Sequence, residues 1–369
     1  MKKRETLLMV FITTWSLFTL SACKNRTTTT EVVRFEKFTV TPNALPKNVI
    51  LLIGDGMGLA QIQAATLAQE EAISMQSAQH IGLIDTRSYN NFITDSGAGG
   101  TALACGVKTY NGAIGVGPDS LPVPSVLEKA SQRGLHTGLV VACPLTHATP
   151  AAFYAHQVSR KMDSAIAQDF YGKNITVAMG GNPKFFDLPR LKNEGYDVTI
   201  GHKEMLQSEA SKLVAFYHAH STPHRASVRK DWLPDGTQKA LDILSSSKKG
   251  FFLMVEGSQI DWAGHNNDYA FQVEETLDFD KAVSAALQFA QKDGQTLVIV
   301  TADHETGALS LLNQPENVQQ VRPHFASENH SGIWVPVLAW GPGANLFSGF
   351  YDNTQITHKI EFLLGLDRR

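Results

Sequence analysis

Three cysteines in 369 residues are too few for a disulfide framework. Charge is also sparse: Asp, Glu, Lys and Arg make up 18% of the chain and sum to −3. No strongly basic block lies beyond the N-terminus, which argues against a nucleic acid-binding surface. The apolar stretch from Leu7 to Leu20 is too short to span a membrane comfortably. Two more things are missing around Ser96, in the segment NNFITDSGAGGTALACGVKTYNG. No histidine lies nearby, and the Gly-x-Ser-x-Gly elbow of serine hydrolases is absent. If Ser96 is a nucleophile, something other than a neighbouring imidazole must take its proton.

What is present is enough for a buried core. Hydrophobic residues are 43% of a length that suits one large domain or two modest ones. Lys2, Lys3 and Arg4 precede the apolar stretch, which ends in Leu20-Ser21-Ala22-Cys23. This resembles the lipobox of bacterial lipoproteins, and implies a signal peptide over 1–22 and lipidation of Cys23. The alternative is a plain signal peptide that happens to hold a cysteine. Residues 23–46, with the Thr27 to Thr30 run, read as a flexible tether, and 47–369 as the catalytic domain. Cys105 and Cys143 read as small buried residues whose pairing the sequence leaves open.

Short, nearly continuous apolar runs recur at Val49–Ile53, Gly138–Ala142, Ile175–Met179, Phe251–Val255 and Leu297–Val300. Strands buried on both faces look like this. Helical patterns lie between them, as at Ser125–Arg133 and Val273–Gln291. The alternation predicts an α/β fold, a mostly parallel sheet flanked by helices. Residues 184–236 are more polar and read as an irregular inserted region. In such sheets ligands bind beyond the carboxyl ends of the strands. Asp55, His147, Thr149, Glu256, Asp303 and His304 all follow predicted strands. A set of acids, imidazoles and a hydroxyl at one edge is hard to explain as caps and turns.

Asp261 and His265 are four apart, so a helical turn puts them on one face where they can grip a cation. An exposed helix pair would look the same. Asp303-His304 fits either a strand-end ligand pair or a surface turn, and His330 either a ligand or a loop histidine. His218, His220 and His224 have metal-like spacing but sit in a polar loop that no strand feeds.

Six ordered motifs carry a wider likeness: NVILLIGDGMG, TDSGAGGTALACGVKTYNG, HATPAAFYAH leading to Arg160, VEGSQIDWAGHNND, TADHETG, and NHSG before VPVLAWGPG. Together they resemble the alkaline phosphatase family from about Asn48 to Gly343. The resemblance implies a three-layer α/β/α sandwich. It implies one Zn²⁺ on Asp261, His265 and His330, and a second on Asp55, Asp303 and His304 within reach of Ser96. A third ion, usually Mg²⁺, would lie between Asp55, Thr149 and Glu256. Arg160 would hold the substrate phosphate, and Asp95 would position Arg160. Metal ions would then replace the missing base at Ser96, through which phosphate monoesters would be hydrolysed by way of a phosphoserine.

Two positions that vary in the family carry His147 and Trp262 here. The first lies near the third ion and the second near the phosphate, so Co²⁺ or Zn²⁺ is expected as an option at the third site. Residues 305–329 are short where larger relatives insert a crown. That implies an open entrance and leaves monomer or homodimer open. A sulfatase is excluded, because Ser96 is followed by Gly-Ala-Gly rather than the C/S-x-P-x-R setting. A phosphodiesterase of the same superfamily and a non-catalytic phosphate- or metal-binding lipoprotein stand as rivals. The expected setting is the bacterial periplasm, lipid-anchored to the outer membrane.

Overall fold

The computed structural model describes residues 45–218 and 225–367. Cys23, the signal segment and most of the tether lie outside them, as do His220 and His224. The sheet strands in chain order are β1 (Asn48–Gly54), β2 (His80–Asp85), β3 (His136–Pro144), β4 (Val177–Gly181), β5 (Asp197–Ile200), β6 (Leu213–Phe216), β7 (Phe251–Gly257) and β8 (Thr296–Thr301). After β8 come β9 (Glu305–Thr306), β10 (Leu309–Gln314), β11 (Asn317–Phe325), β12 (His330–Ser331), β13 (Val335–Trp340) and β14 (Gly349–Asp352).

Ten of these form one sheet in the order β14-β2-β13-β8-β1-β7-β3-β4-β6-β5. Only β13 runs against its neighbours. The central strands β1, β3, β7 and β8 are almost wholly buried, which is why they read as unbroken apolar runs. Helices Trp232–Leu244 and Tyr269–Asp293 pack on each other and on the central strands. Helices Ser96–Cys105, Val126–Gln132 and Thr354–Leu364 form a second packed group that reaches β3 and β7. The result is the expected three-layer sandwich.

Local chemistry sets the helix ends. Ser125 Oγ accepts from Glu128 N at 3.1 Å while Glu128 Oε2 accepts from Ser125 N at 2.9 Å, a reciprocal cap. The long helix starts four residues before the predicted Val273, where Asp268 caps Phe271 N at 3.0 Å, and stops at Gly294 in a left-handed conformation.

One expectation is corrected. Residues 184–236 are not an irregular insertion: they supply β5 and β6, which extend the sheet beyond β4. These strands are four residues each and β5 is partly exposed, so neither shows a long apolar run. The strand predicted at Ile175 begins at Val177. Residues 305–329, expected as a reduced crown, are chiefly the antiparallel β10–β11 hairpin.

Register aligns the strand ends. Ile53 on β1 lies opposite Glu256 on β7 and Thr301 on β8, and Val141 on β3 also faces Glu256. Every residue following these strands therefore emerges at one edge.

Candidate metal centre

Asp55 leaves β1 fully buried. Gly56 follows with φ +74°, and a Cβ there would stand 2.7 Å from Asp261 Cα. Only glycine lets the two acidic segments approach so closely. Glu256 is the penultimate residue of β7 rather than the residue after it. The Gln259–His265 helix then carries Asp261 and His265, whose Oδ1 and Nε2 are 3.3 Å apart. Asp303 and His304 turn in after β8, and His330 sits on β12, pinned beside β9.

Asp261, His265 and His330 each offer a donor atom within 4.8 Å of the others. The two Nε2 atoms are 3.2 Å apart. His265 Nδ1 is 2.6 Å from Glu328 O and His330 Nδ1 is 2.9 Å from Thr94 O. A ring nitrogen facing a carbonyl must carry the proton, which leaves both Nε2 lone pairs turned toward each other and toward Asp261. That pairing needs a cation between them. Without one, protons must serve: Asp261 pulls His265 up to about 9.

A second trio within 4.8 Å is Asp55, Asp261 and His304. Asp303 borders it, with Oδ2 3.3 Å from His304 Nε2. Both oxygens of Asp55 and Oδ2 of Asp303 are buried with no hydrogen-bond partner. Burial first, then the Asp303 charge, pushes the Asp55 carboxyl well up. Burial and then Asp261 lift Asp303 to about 6. Burial holds His304 well below the usual imidazole range, so its ring is neutral and free to ligate. Thr306 Oγ1, 2.5 Å from Asp261 Oδ1 and 3.2 Å from His304 Nδ1, fixes both.

The third trio is Cys143, His147 and Glu256. Thr149 Oγ1, Glu256 Oε1 and His147 Nδ1 are buried and unpartnered. Burial raises Glu256 to about 7 and lowers His147 to about 4. Trp262 is half-buried, and its ring meets His147 edge-on at 6.0 Å. Unpartnered buried carboxylates are costly, and so much unmet negative charge in one place fits cations bound among these donors.

Ser96 opens the Ser96–Cys105 helix, with Oγ 3.3 Å from His304 Nε2. Asp95 caps that helix through Ala98 N at 3.0 Å and accepts from Arg160 Nη1 at 2.9 Å. The structure thus gathers every predicted site residue in the described region around one end of the sheet. Sequence reasoning passed over Cys143, Thr306 and the Thr94 carbonyl. Cys143 ends an apolar run at the same edge and could have been found by that rule. The two carbonyl and hydroxyl partners leave no sequence signal.

The sequence profile of the alkaline phosphatase family matches residues 46–201 and 184–324. Alkaline phosphatase 3 of Bacillus subtilis is 33% identical, over 85% of this chain and 88% of its own. The chain belongs to the alkaline phosphatase family. The solved alkaline phosphatase of the Antarctic bacterium TAB5 superposes with a TM-score of 0.84 at 39% identity, covering 88% of this chain and all of that one. Two variants of that enzyme, with a histidine exchanged for glutamate or aspartate, carry Mg in their M3 site. They share 37% identity and TM-scores of 0.81 with this chain, over 87% of it and 98% of theirs. The likeness makes this chain a hydrolase of the alkaline phosphatase type, which acts on phosphate monoesters, and its candidate ligand groups support a metal cofactor.

Proposed function

We propose that the reaction runs through a phosphoserine on Ser96. Asp261, His265 and His330 would hold one Zn²⁺, and Asp55, Asp303 and His304 a second. Asp55, Thr149 and Glu256 would hold the third ion, Mg²⁺ or, with His147 beside it, Co²⁺. Bound there, such ions neutralise the buried carboxylates and make nearby hydroxyl groups more acidic. The observation that carries the reading is Ser96 Oγ at a helix start, 3.3 Å from His304 Nε2 and beside buried, unpartnered carboxylate oxygens.

The ester's phosphate dianion meets Arg160, whose planar fork suits two phosphate oxygens. Asp95 fixes the fork's direction. Ser96 Oγ loses its proton to solvent and bonds to phosphorus while the P–O bond to the alcohol breaks. The alcohol leaves with the electron pair and takes a proton from water. Free N–H groups in the first helical turn favour the phosphoryl charge. Water then attacks phosphorus, the Oγ–P bond breaks, and inorganic phosphate leaves. Arg160 supports the monoester over the diester, since it answers the extra charge of a dianion.

The test is hydrolysis of an aryl phosphate monoester and the matching diester, from about pH 6 to 11, across the range where metals acidify water. Metal-stripped protein, protein reloaded with Zn²⁺ plus Mg²⁺ or with Co²⁺, and Ser96→Ala are compared. Monoester turnover lost on stripping and in the variant is expected. Faster diester turnover would move the chain to the rival chemistry.

We also propose lipidation at Cys23 and attachment to the outer membrane on its periplasmic side, supported by Leu20-Ser21-Ala22-Cys23. Cys23→Ser should shift activity from the membrane to the soluble fraction; unchanged membrane association would overturn this.

A further inference from the structure

We infer that Cys143 makes the third site a sulfur-containing one, which takes Zn²⁺ or Co²⁺ through Cys143, His147 and Glu256 in preference to Mg²⁺. This rests on the metal-dependent reading above. Cys143 is fully buried near the end of β3, and its Sγ lies 3.3 Å from Glu256 Oε2. Donor atoms of Cys143, His147 and Glu256 all lie within 4.8 Å of one another. An ion with tetrahedral bonds of ~2.0–2.3 Å places its ligands about 3.3–3.8 Å apart, so the cysteine–glutamate edge already has the right length.

The cluster is not a cysteine standing alone. Glu256 Oε1 and His147 Nδ1 are buried atoms of the same trio without hydrogen-bond partners. Without an ion, the thiol donates to Glu256 Oε2 or to Pro144 O at 3.4 Å. Coordination would release that proton to solvent and free Oε2 to ligate. Glu256 is shared between this sulfur–nitrogen set and the oxygen set of Asp55 and Thr149. Which set wins depends on the ion: thiolate and imidazole favour Zn²⁺ and its neighbours, while oxygen donors favour Mg²⁺. Cys105 serves as a control. It is also buried, but its sulfur meets the Ala152 carbonyl, at 3.8 Å, and it joins no metal-ligand group among the described residues.

The experiment strips the whole protein, saturates it with Co²⁺ and records the visible and near-ultraviolet spectrum. Visible ligand-field bands report Co²⁺ at any site. A near-ultraviolet sulfur-to-cobalt charge-transfer band reports a thiolate ligand. The wild type and Cys105→Ser should show both, and Cys143→Ser should keep the visible bands and lose the charge-transfer band. Should Cys143→Ser fail to fold, X-ray absorption at the zinc edge of the wild type decides, with a sulfur neighbour expected at about 2.3 Å. Visible bands without charge transfer in the wild type, or a charge-transfer band that survives in Cys143→Ser, would overturn the inference and leave the phosphatase reading intact. No Co²⁺ absorption at all, with no turnover restored by any cation, would overturn both.

Discussion

Asp95 ties the helix that presents Ser96 to Arg160, the proposed phosphate ligand: its Oδ1 accepts from Ala98 N and Gly112 N at 3.0 and 2.9 Å, and its Oδ2 from Arg160 Nη1 at 2.9 Å. These N–H groups and the guanidinium outweigh burial and hold the carboxyl below its ordinary range. Asp95→Asn keeps one acceptor for the backbone but turns an amide toward Arg160. A charge-assisted hydrogen bond contributes ~1.5–3 kcal/mol, so kcat/KM for an aryl phosphate should fall at least about tenfold. The loss should sit mainly in KM, and melting temperature should fall by less than in Asp95→Ala. Asp95→Ala should lower both, because it also removes the cap. Steady-state kinetics and calorimetry on the two variants check this.

Chelation should destabilise the protein, and more so as pH rises. Burial raises Asp303 to about 6 and Glu256 to about 7 without cations, above their ordinary values near 4. An acid whose folded pKa is raised costs stability above its unfolded pKa, and the cost grows until pH passes the folded value. Stripped protein should therefore lose melting temperature from about pH 4 to 7 through these acids, and loss of the His265 proton should carry the decline on toward about pH 9. Bound cations compensate for the ionised carboxylates, so the gap between loaded and stripped protein should widen over the same window. Calorimetry at pH 5 and 8 decides; a gap that narrows would count against cations among these acids.

How much of this was legible follows from burial. β1, β3, β7 and β8 sit mid-sheet with both faces covered, so composition alone announces them, and the residues just beyond them mark the site. β2 alternates buried and half-exposed residues over His80–Asp85, and β14 is mostly exposed, so neither gives a continuous run. Asp261 reads as one half of a helical pair, yet it touches His265, His330 and Thr306. Thr306 lies 45 residues beyond Asp261 and His330 further still, and the turn at Gly56 and the β9–β12 pairing help bring them together.

A charge cluster away from the metal donors gives a separate pH test. Glu128 Oε1 meets His156 Nε2 at 3.1 Å and Lys173 Nζ at 2.6 Å. Burial opposes its charge, but these two partners and the Ser125 N–H bring it down to about 2. Its stabilising share is present above the unfolded carboxyl pKa and fades as pH falls toward 2. His156 is raised by the same contact despite burial. Its share is full below the unfolded imidazole pKa of about 6.5 and is lost as pH rises through the higher folded value. Glu128→Gln should therefore cost more melting temperature at pH 6 than at pH 9, where only Lys173 and the backbone contacts remain. Equal losses at both would remove His156 from the account.

With Arg160 as the proposed phosphate ligand, Trp262 is where charge can be added nearby without removing a proposed metal ligand. Its ring meets His147 edge-on at 6.0 Å, and His147 Nε2 is 3.4 Å from Arg160 Nη2. The indole brings one N–H donor and no charge. A lysine there would add a cation beside Arg160's phosphate oxygens. At an effective dielectric of 20 to 80, two charges a few ångströms apart interact by ~1–4 kcal/mol. Trp262→Lys should then bind inorganic phosphate at least about fivefold more tightly, read as a lower inhibition constant. The same grip slows product release, so kcat should fall wherever release limits turnover. Trp262→Ala removes the ring without adding charge and should leave the constant within about threefold of wild type, short of the lysine effect. If alanine and lysine tighten phosphate equally, the indole was merely blocking the site; if neither does, position 262 does not reach the phosphate.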